Sequence, residues 1–169
     1  MEEEIVNRVA NSALVTIDLE EYYIEGQRIS LDISPWLHEG IILREKEFRS
    51  FVKALDTSIY RNSFVAINCT TDAIIPGWAY MLVSLRLAET ANKVIVGSLE
   101  DLETVIFTEL IDKIDLTSYA DKPVIIKGCA NKPIPENAFV LLAQKLRPIA
   151  KSIMYGEACS SVPLFKRKK

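Results

Sequence analysis

Between residues 13 and 19 the chain alternates, with Val15, Ile17 and Leu19 set against Thr16 and Asp18. That period of two is what a strand with one buried face requires. Ile29, Leu31 and Ile33 repeat the pattern, and Glu25-Gly26-Gln27 between them offers a turn. The two segments are therefore expected to form an antiparallel β-hairpin or to lie as neighbouring strands. Ser34-Pro35 closes the second. From Arg44 the period changes, and Phe48, Phe51, Val52 and Leu55 fall on one face of a helix.

The rest of the chain is more regular. Phe64-Val65-Ala66-Ile67 is a short apolar run ending at Asn68-Cys69. A helix is expected after Pro76, with Trp78, Met81, Leu82 and Leu85 in line. Lys93-Val94-Ile95-Val96 is the next run, and Ser98 with Asp101 resembles a capping box opening a helix through Leu102, Val105, Ile106 and Leu110. Val124-Ile125-Ile126 leads to Gly128-Cys129, and a helix through Phe139, Leu142 and Leu146 follows Pro135. Ile153-Met154-Tyr155 closes at Gly156 and leads to Cys159.

This alternation is the mark of βαβ units. Runs apolar throughout suit strands covered on both faces. The expected fold is α/β: a mostly parallel sheet sandwiched by helices, three layers in a STAS-like or Rossmann-like arrangement, with the N-terminal antiparallel β-hairpin added. The pattern shows no internal linker, low-complexity segment or solenoid repeat. One domain over 1–169 is expected, with 1–40 as a β extension and 157–169 as a C-terminal tail.

At 169 residues the chain is long enough to bury a core without disulfides or a structural metal. Its apolar runs are too short to span a bilayer, and Met1-Glu2-Glu3-Glu4 is acidic where a secretory leader is basic. A cytoplasmic location is expected. Three cysteines in a reducing compartment argue against a disulfide framework. A net charge of −3 without a basic face speaks against nucleic acid, and Lys166-Arg167-Lys168-Lys169 is expected to be a solvated end.

In α/β sheets ligands bind beyond the carboxyl ends of the strands. Three expected ends carry a cysteine at or soon after them: Cys69, Cys129 and Cys159. Thiolates ligate zinc and iron–sulfur clusters, and Asp72 and Glu157 stand near enough in sequence to complete such a site. Asp72 has a rival use as a helix N-cap before Pro76. The plainer alternative is three unrelated thiols near strands. Nucleophilic cysteine chemistry needs a nearby base, and the one histidine, His38, lies in a turn on the N-terminal side, where a surface role is the ordinary one. No GxGxxG, GxxxxGK[ST] or GxSxG motif is present. Ala73-Ile74-Ile75-Pro76-Gly77-Trp78 puts apolar residues in a strand-to-helix loop; packed on the core they are structural, and exposed they mark a partner surface.

The strings ILREKEFRSFV (42–52), TTDAIIPGWAYML (70–82), IKGCANKPIPENAF (126–139) and KSIMYGEACSSVPLFKRKK (151–169) resemble an uncharacterised bacterial family, domain of unknown function 2480, over the whole chain. The resemblance implies an accessory role beside iron–sulfur cluster assembly proteins as partners. It supplies no catalytic residues. At fold level the chain is also similar to STAS-like domains, whose regulatory hydroxyl sits at a strand-to-helix turn; Asn68-Cys69-Thr70-Thr71-Asp72 holds that place here. Three functions follow. The first is a non-catalytic metal-binding protein using Cys69, Cys129 and Cys159 on zinc or an iron–sulfur cluster. The second is a STAS-like interaction module with structural cysteines. The third, least favoured, is a thiol enzyme.

Overall fold

The computed structural model describes residues 13–128, 131–157 and 159–168. In chain order the elements are β1 (Val15–Ile17), β2 (Arg28–Asp32), α1 (Glu45–Ala54), β3 (Phe64–Asn68), α2 (Gly77–Leu87), β4 (Lys93–Val96), α3 (Leu99–Lys113), β5 (Pro123–Ile126), α4 (Glu136–Leu146), β6 (Ser152–Glu157) and β7 (Ser160–Lys166), with short 3₁₀ turns between some of them. The class is α/β with mostly parallel strands. The strands form two sheets, in the orders β2-β3-β4 and β1-β5-β6-β7. The chain divides accordingly into two compact units, one continuous over Ile24–Val105 and the other joining the residues before Ile24 to those from Ile106 onward.

The two N-terminal strands do not pair with each other as the alternation suggested. β1 runs parallel to β5 and β2 parallel to β3, each in a different sheet. Alternation reports one buried face and says nothing about which partner supplies the ladder. Among the described residues of this part of the chain, antiparallel pairing is confined to the small His38–Ile42 bridge. The C-terminal segment expected as a tail is instead β7, antiparallel to β6 from Ser152–Lys166 to Glu157–Ser160. Arg167 is held by an ion pair with Asp121 and by a backbone bond to Lys151.

In the continuous unit β3 is buried on both faces, from Phe64 to Ile67. Val65 and Ile67 join a core with Phe48 and Val52 of α1 and with Ala79, Val83 and Leu87 of α2. Phe48 meets Trp36 and Trp78 edge-on, with ring centroids 5.7 and 5.8 Å away. Beside the other face the first turns of α3 supply Glu103, whose carboxylate bonds Arg28 of β2 at 2.6 Å. Ser98 and Asp101 form the expected reciprocal cap: the Asp101 N–H donates to Ser98 Oγ at 3.0 Å and the Ser98 N–H to Asp101 Oδ2 at 2.7 Å. In α2 the buried line is Ala79, Val83 and Leu87, not Met81 and Leu85, which are 65% and 70% exposed. A helix apolar nearly all round leaves its period unable to choose a buried face.

The other unit repeats this plan. At a constant offset of 59 positions Phe48 corresponds to Phe107, Asp56 to Asp115, Tyr60 to Tyr119, Val65 to Val124, Pro76 to Pro135, Leu87 to Leu146 and Gly97 to Gly156. At an offset of 14, Asp32 and Gly40 correspond to Asp18 and Gly26. The local structure repeats with the sequence. Asn62 and Asp121 both take left-handed backbone, with φ of 56° and 55°. Their N–H groups donate to Thr90 and Ile149 carbonyls at 2.9 and 3.0 Å, the same bond twice. Asp56 and Asp115 cap equivalent turns, accepting from the N–H groups of Ser58 and Thr117. Each unit thus contains strand, 3₁₀ turn, helix, turn, strand, helix, strand, with the first and third strands flanking the second, and β7 is added to the other unit alone. The second unit's core draws Ile17, Val124, Ile126 and Ile153 of its strands together with Phe107 and Leu142 of its helices.

Candidate functional site

The carboxyl edge of the β2-β3-β4 sheet carries a polar network centred on Asp32. Parallel pairing in the register Asp32–Asn68 brings Asp32 to the same edge as the residues that follow β3. Asp32 Oδ1 accepts from the backbone N–H groups of Ser34 and Thr70 at 2.9 and 3.1 Å. Its Oδ2 accepts from the hydroxyls of Ser34 and Thr70 at 2.7 and 2.6 Å. Burial pushes the Asp32 carboxyl up, but these hydrogen bonds from Thr70 and Ser34 together outweigh it and hold it at about 2. The carboxylate is therefore ionised at neutral pH and spent on its donors. It serves as an anchor for two loops and is too weak a base to take a proton there.

The anchoring continues outward. Thr71 Oγ1 donates to the Gly40 carbonyl at 2.6 Å, tying the loop after β3 to the loop after β2. That second loop closes on itself, with reciprocal backbone bonds between His38 and Ile42 and positive φ at Glu39 (52°) and Gly40 (75°). The loops so fixed present apolar side chains to solvent. Ile74 is 94% exposed, and Ile41 and Ile42 are 55% and 46% exposed.

The other unit's edge uses different chemistry at equivalent places. Lys127, which corresponds to Asn68, pairs with Asp18 at 2.6 Å and lies 3.8 Å from Glu20. The Asp18 hydrogen bond raises the Lys127 ammonium above its usual range against desolvation, and the charges of Asp18, Glu20 and Glu157 add to the rise. Glu20 Oε1 accepts the N–H groups of Asn131 and Lys132 at 2.5 and 2.9 Å.

Cys69 follows β3 directly, half-buried, with its thiol 3.6 Å from the Thr71 carbonyl and 3.4 Å from the Thr71 hydroxyl. Cys159 is exposed between β6 and β7, past the carboxyl end of β6 as expected. Cys129 lies outside the described residues. Among the described residues no group of three or more His, Cys, Asp or Glu side chains is placed to hold a metal ion. Asp72 is exposed and does not cap α2, which starts behind Pro76 with no side-chain cap. Glu157 ends β6 opposite Ser160. His38 lies 3.7 Å from Glu39, the neighbour with which it shares its turn. Among the described residues no helix is long and apolar enough to cross a membrane.

Over residues 3–167 the sequence matches the family described as "Protein of unknown function (DUF2480)". The chain belongs to that family. No curated protein and no solved structure matches it, so the likeness to STAS-like domains gains no support there. Within this family member, Asp32 is the site residue that sequence reasoning missed. Its signal was the repeated strand-Asp-apolar string, Ile17-Asp18-Leu19 and Leu31-Asp32-Ile33, each followed seven residues later by Glu-Gly.

Proposed function

We propose that this protein is a non-catalytic interaction module whose working surface is the loop pair at the carboxyl edge of the β2-β3-β4 sheet. The observation that carries the reading is Ile74, 94% exposed on a loop that Thr70 and Thr71 hold in place. Exposed branched apolar side chains lose little by chance contact with water singly, but grouped on fixed loops they form the anchor of a protein interface. Fixing both loops beforehand lowers the ordering cost of binding. The anchor carboxylate's low basicity also suits a holding role better than proton transfer.

A photo-crosslinking residue placed at position 74 in the full chain is expected to give a discrete adduct in cells, and Ile42→Asp to abolish it. Adducts no different from those of a crosslinker at Lys46, on the exposed start of α1, would overturn the reading. Because Ile74 touches so little of the chain, Ile74→Asp should leave the melting temperature unchanged.

A second reading keeps the cysteines as ligands for zinc or an iron–sulfur cluster, with iron–sulfur assembly proteins as partners. What favours it is the position of Cys69 and Cys159 beyond the carboxyl ends of β3 and β6. It predicts stoichiometric zinc, or iron with sulfide, in anaerobically purified protein, lost on Cys→Ser substitution at 69, 129 or 159. Metal-free protein from cells supplied with both metals would end it.

A further inference from the structure

The duplication supplies an internal control for every surface. Where the two units share a fold but differ in exposed chemistry, the difference is not demanded by the fold. One such difference lies on the paired-helix faces. In the continuous unit α1 and α2 enclose an open groove of about 350 Å³, lined by Arg49, Val52, Lys53, Leu82, Leu85 and Arg86. In the other unit α3 and α4 enclose one of about 540 Å³ at the corresponding positions, among them Ile111, Asp112, Leu141, Gln144 and Lys145.

The floors agree, with Val52 against Ile111 and Leu82 against Leu141. The rims do not. Leu85, 70% exposed, stands where the other unit has Gln144, so that position does not need an apolar residue to fold. Met81, 65% exposed, extends the same stripe one turn back, opposite Val140 in the other unit at 52%. Lys53 stands where the other unit has Asp112, a reversal of sign. Arg49 and Arg86 line the same groove, Arg49 paired with Glu45 at 2.9 Å and Arg86 3.8 Å from Glu89. In the acidic groove Asp112 stands with Glu109 and Lys145. The Lys145 ammonium is turned onto the carbonyls of Ile111, Asp112 and Ile114 at 2.6, 2.7 and 3.0 Å.

We infer that the protein self-associates, the α1–α2 face of one copy receiving the α3–α4 face of a second. Lys53 then meets Asp112, and the Met81–Leu85 stripe covers Val140 and Leu141. Opposite charge selects this pairing over a basic face on a basic face, where like charges oppose each other. The exposed apolar stripe supplies the buried area.

Sedimentation equilibrium of the full-length protein tests this. The wild type is expected to associate reversibly, and more weakly as salt is raised. Lys53→Glu and Asp112→Lys should each raise the dissociation constant about tenfold or more, and the double variant should regain most of the loss. Leu85→Gln, which installs the residue found at the equivalent place in the other unit, should keep the wild-type melting temperature and lose association. Ile74→Asp should associate like wild type, which separates this result from the loop-pair reading. A wild type that stays monomeric to about 100 µM, or a double variant no better than either single one, overturns the inference.

Discussion

Glu103→Ala is expected to cost about 3–5 kcal/mol of folding stability, the scale set by breaking a buried ion pair from one side. Glu103 and Arg28 side chains are only 7% and 11% exposed, and Arg28 Nε donates to Glu103 Oε1 at 2.6 Å. Arg28 also lies over the Phe64 ring, 4.7 Å from its centroid, and donates to the Gly26 carbonyl. Those contacts stay when Glu103 is cut back, but the guanidinium keeps its charge and loses its carboxylate in a place water scarcely reaches. The loss is therefore mostly the cost of taking the Glu103 carboxylate from a nearly buried guanidinium and not the net worth of the pair. Two companions separate these terms. Glu103→Gln retains an acceptor and should lose about half as much. Arg28→Met with Glu103→Leu removes both charges and should recover most of the stability. Urea midpoints at constant m-value are the measurement. A loss below about 1 kcal/mol for Glu103→Ala would show that the pair behaves as a hydrated surface bridge.

Asp32→Asn is expected to cost about 2 kcal/mol near neutral pH. An amide keeps one acceptor oxygen and turns a donor toward the Ser34 and Thr70 groups that now donate to Oδ1 and Oδ2. The same group sets an acid dependence. Its carboxyl moves from 3.8 when unstructured to about 2 when folded. A depressed folded value means the stabilisation is present above pH 4 and is lost as pH falls from there through about 2. At 1.36 kcal/mol per unit and with solvent screening of a carboxylate that water partly reaches, that amounts to about 1–2 kcal/mol. The gap between wild type and Asp32→Asn should accordingly narrow between pH 4 and pH 2. A gap that stays constant over that range would mean the network does not hold the carboxylate in its charged form.

Much of the secondary structure was legible in the sequence. The apolar runs at 64–67, 94–96 and 124–126 are strands β3, β4 and β5. The Ser98–Asp101 cap is where its spacing put it. What periodicity cannot carry is partnership. β1 and β2 read alike, yet they pair in different sheets because the choice is made by strands far along the chain. The Asp32 network was hidden for the same reason, since its donors at Thr70 come from the other side of a helix and a strand. The duplication was missed because it is nested: the first strand repeats at one spacing and everything after it at another. The α2 face was misassigned because the helix is apolar on both sides, so that composition made the exposed Met81 and Leu85 look like core. The same surplus of apolar residues is what now marks that face. As for the cysteines, it was legible that Cys69 and Cys159 each follow the carboxyl end of a strand, but not that the two strands belong to different sheets, and their chemistry was not legible, since ligation depends on distances that spacing does not encode.

The nesting also fixes an order of events during synthesis. β2 finds β3 within a single short stretch of chain, Ile29 opposite Val65. β1 must wait for β5, Val15 opposite Val124, more than a hundred residues later. At about 5–20 residues per second that delay is roughly 5–20 s. β1 thus emerges before β2 yet gains its neighbour β5 only after β2 has gained β3, while the continuous unit has all its strands in hand before β5 emerges. A nascent chain of this design carries a finished unit behind an unpartnered strand, and it stays that way until β5 emerges.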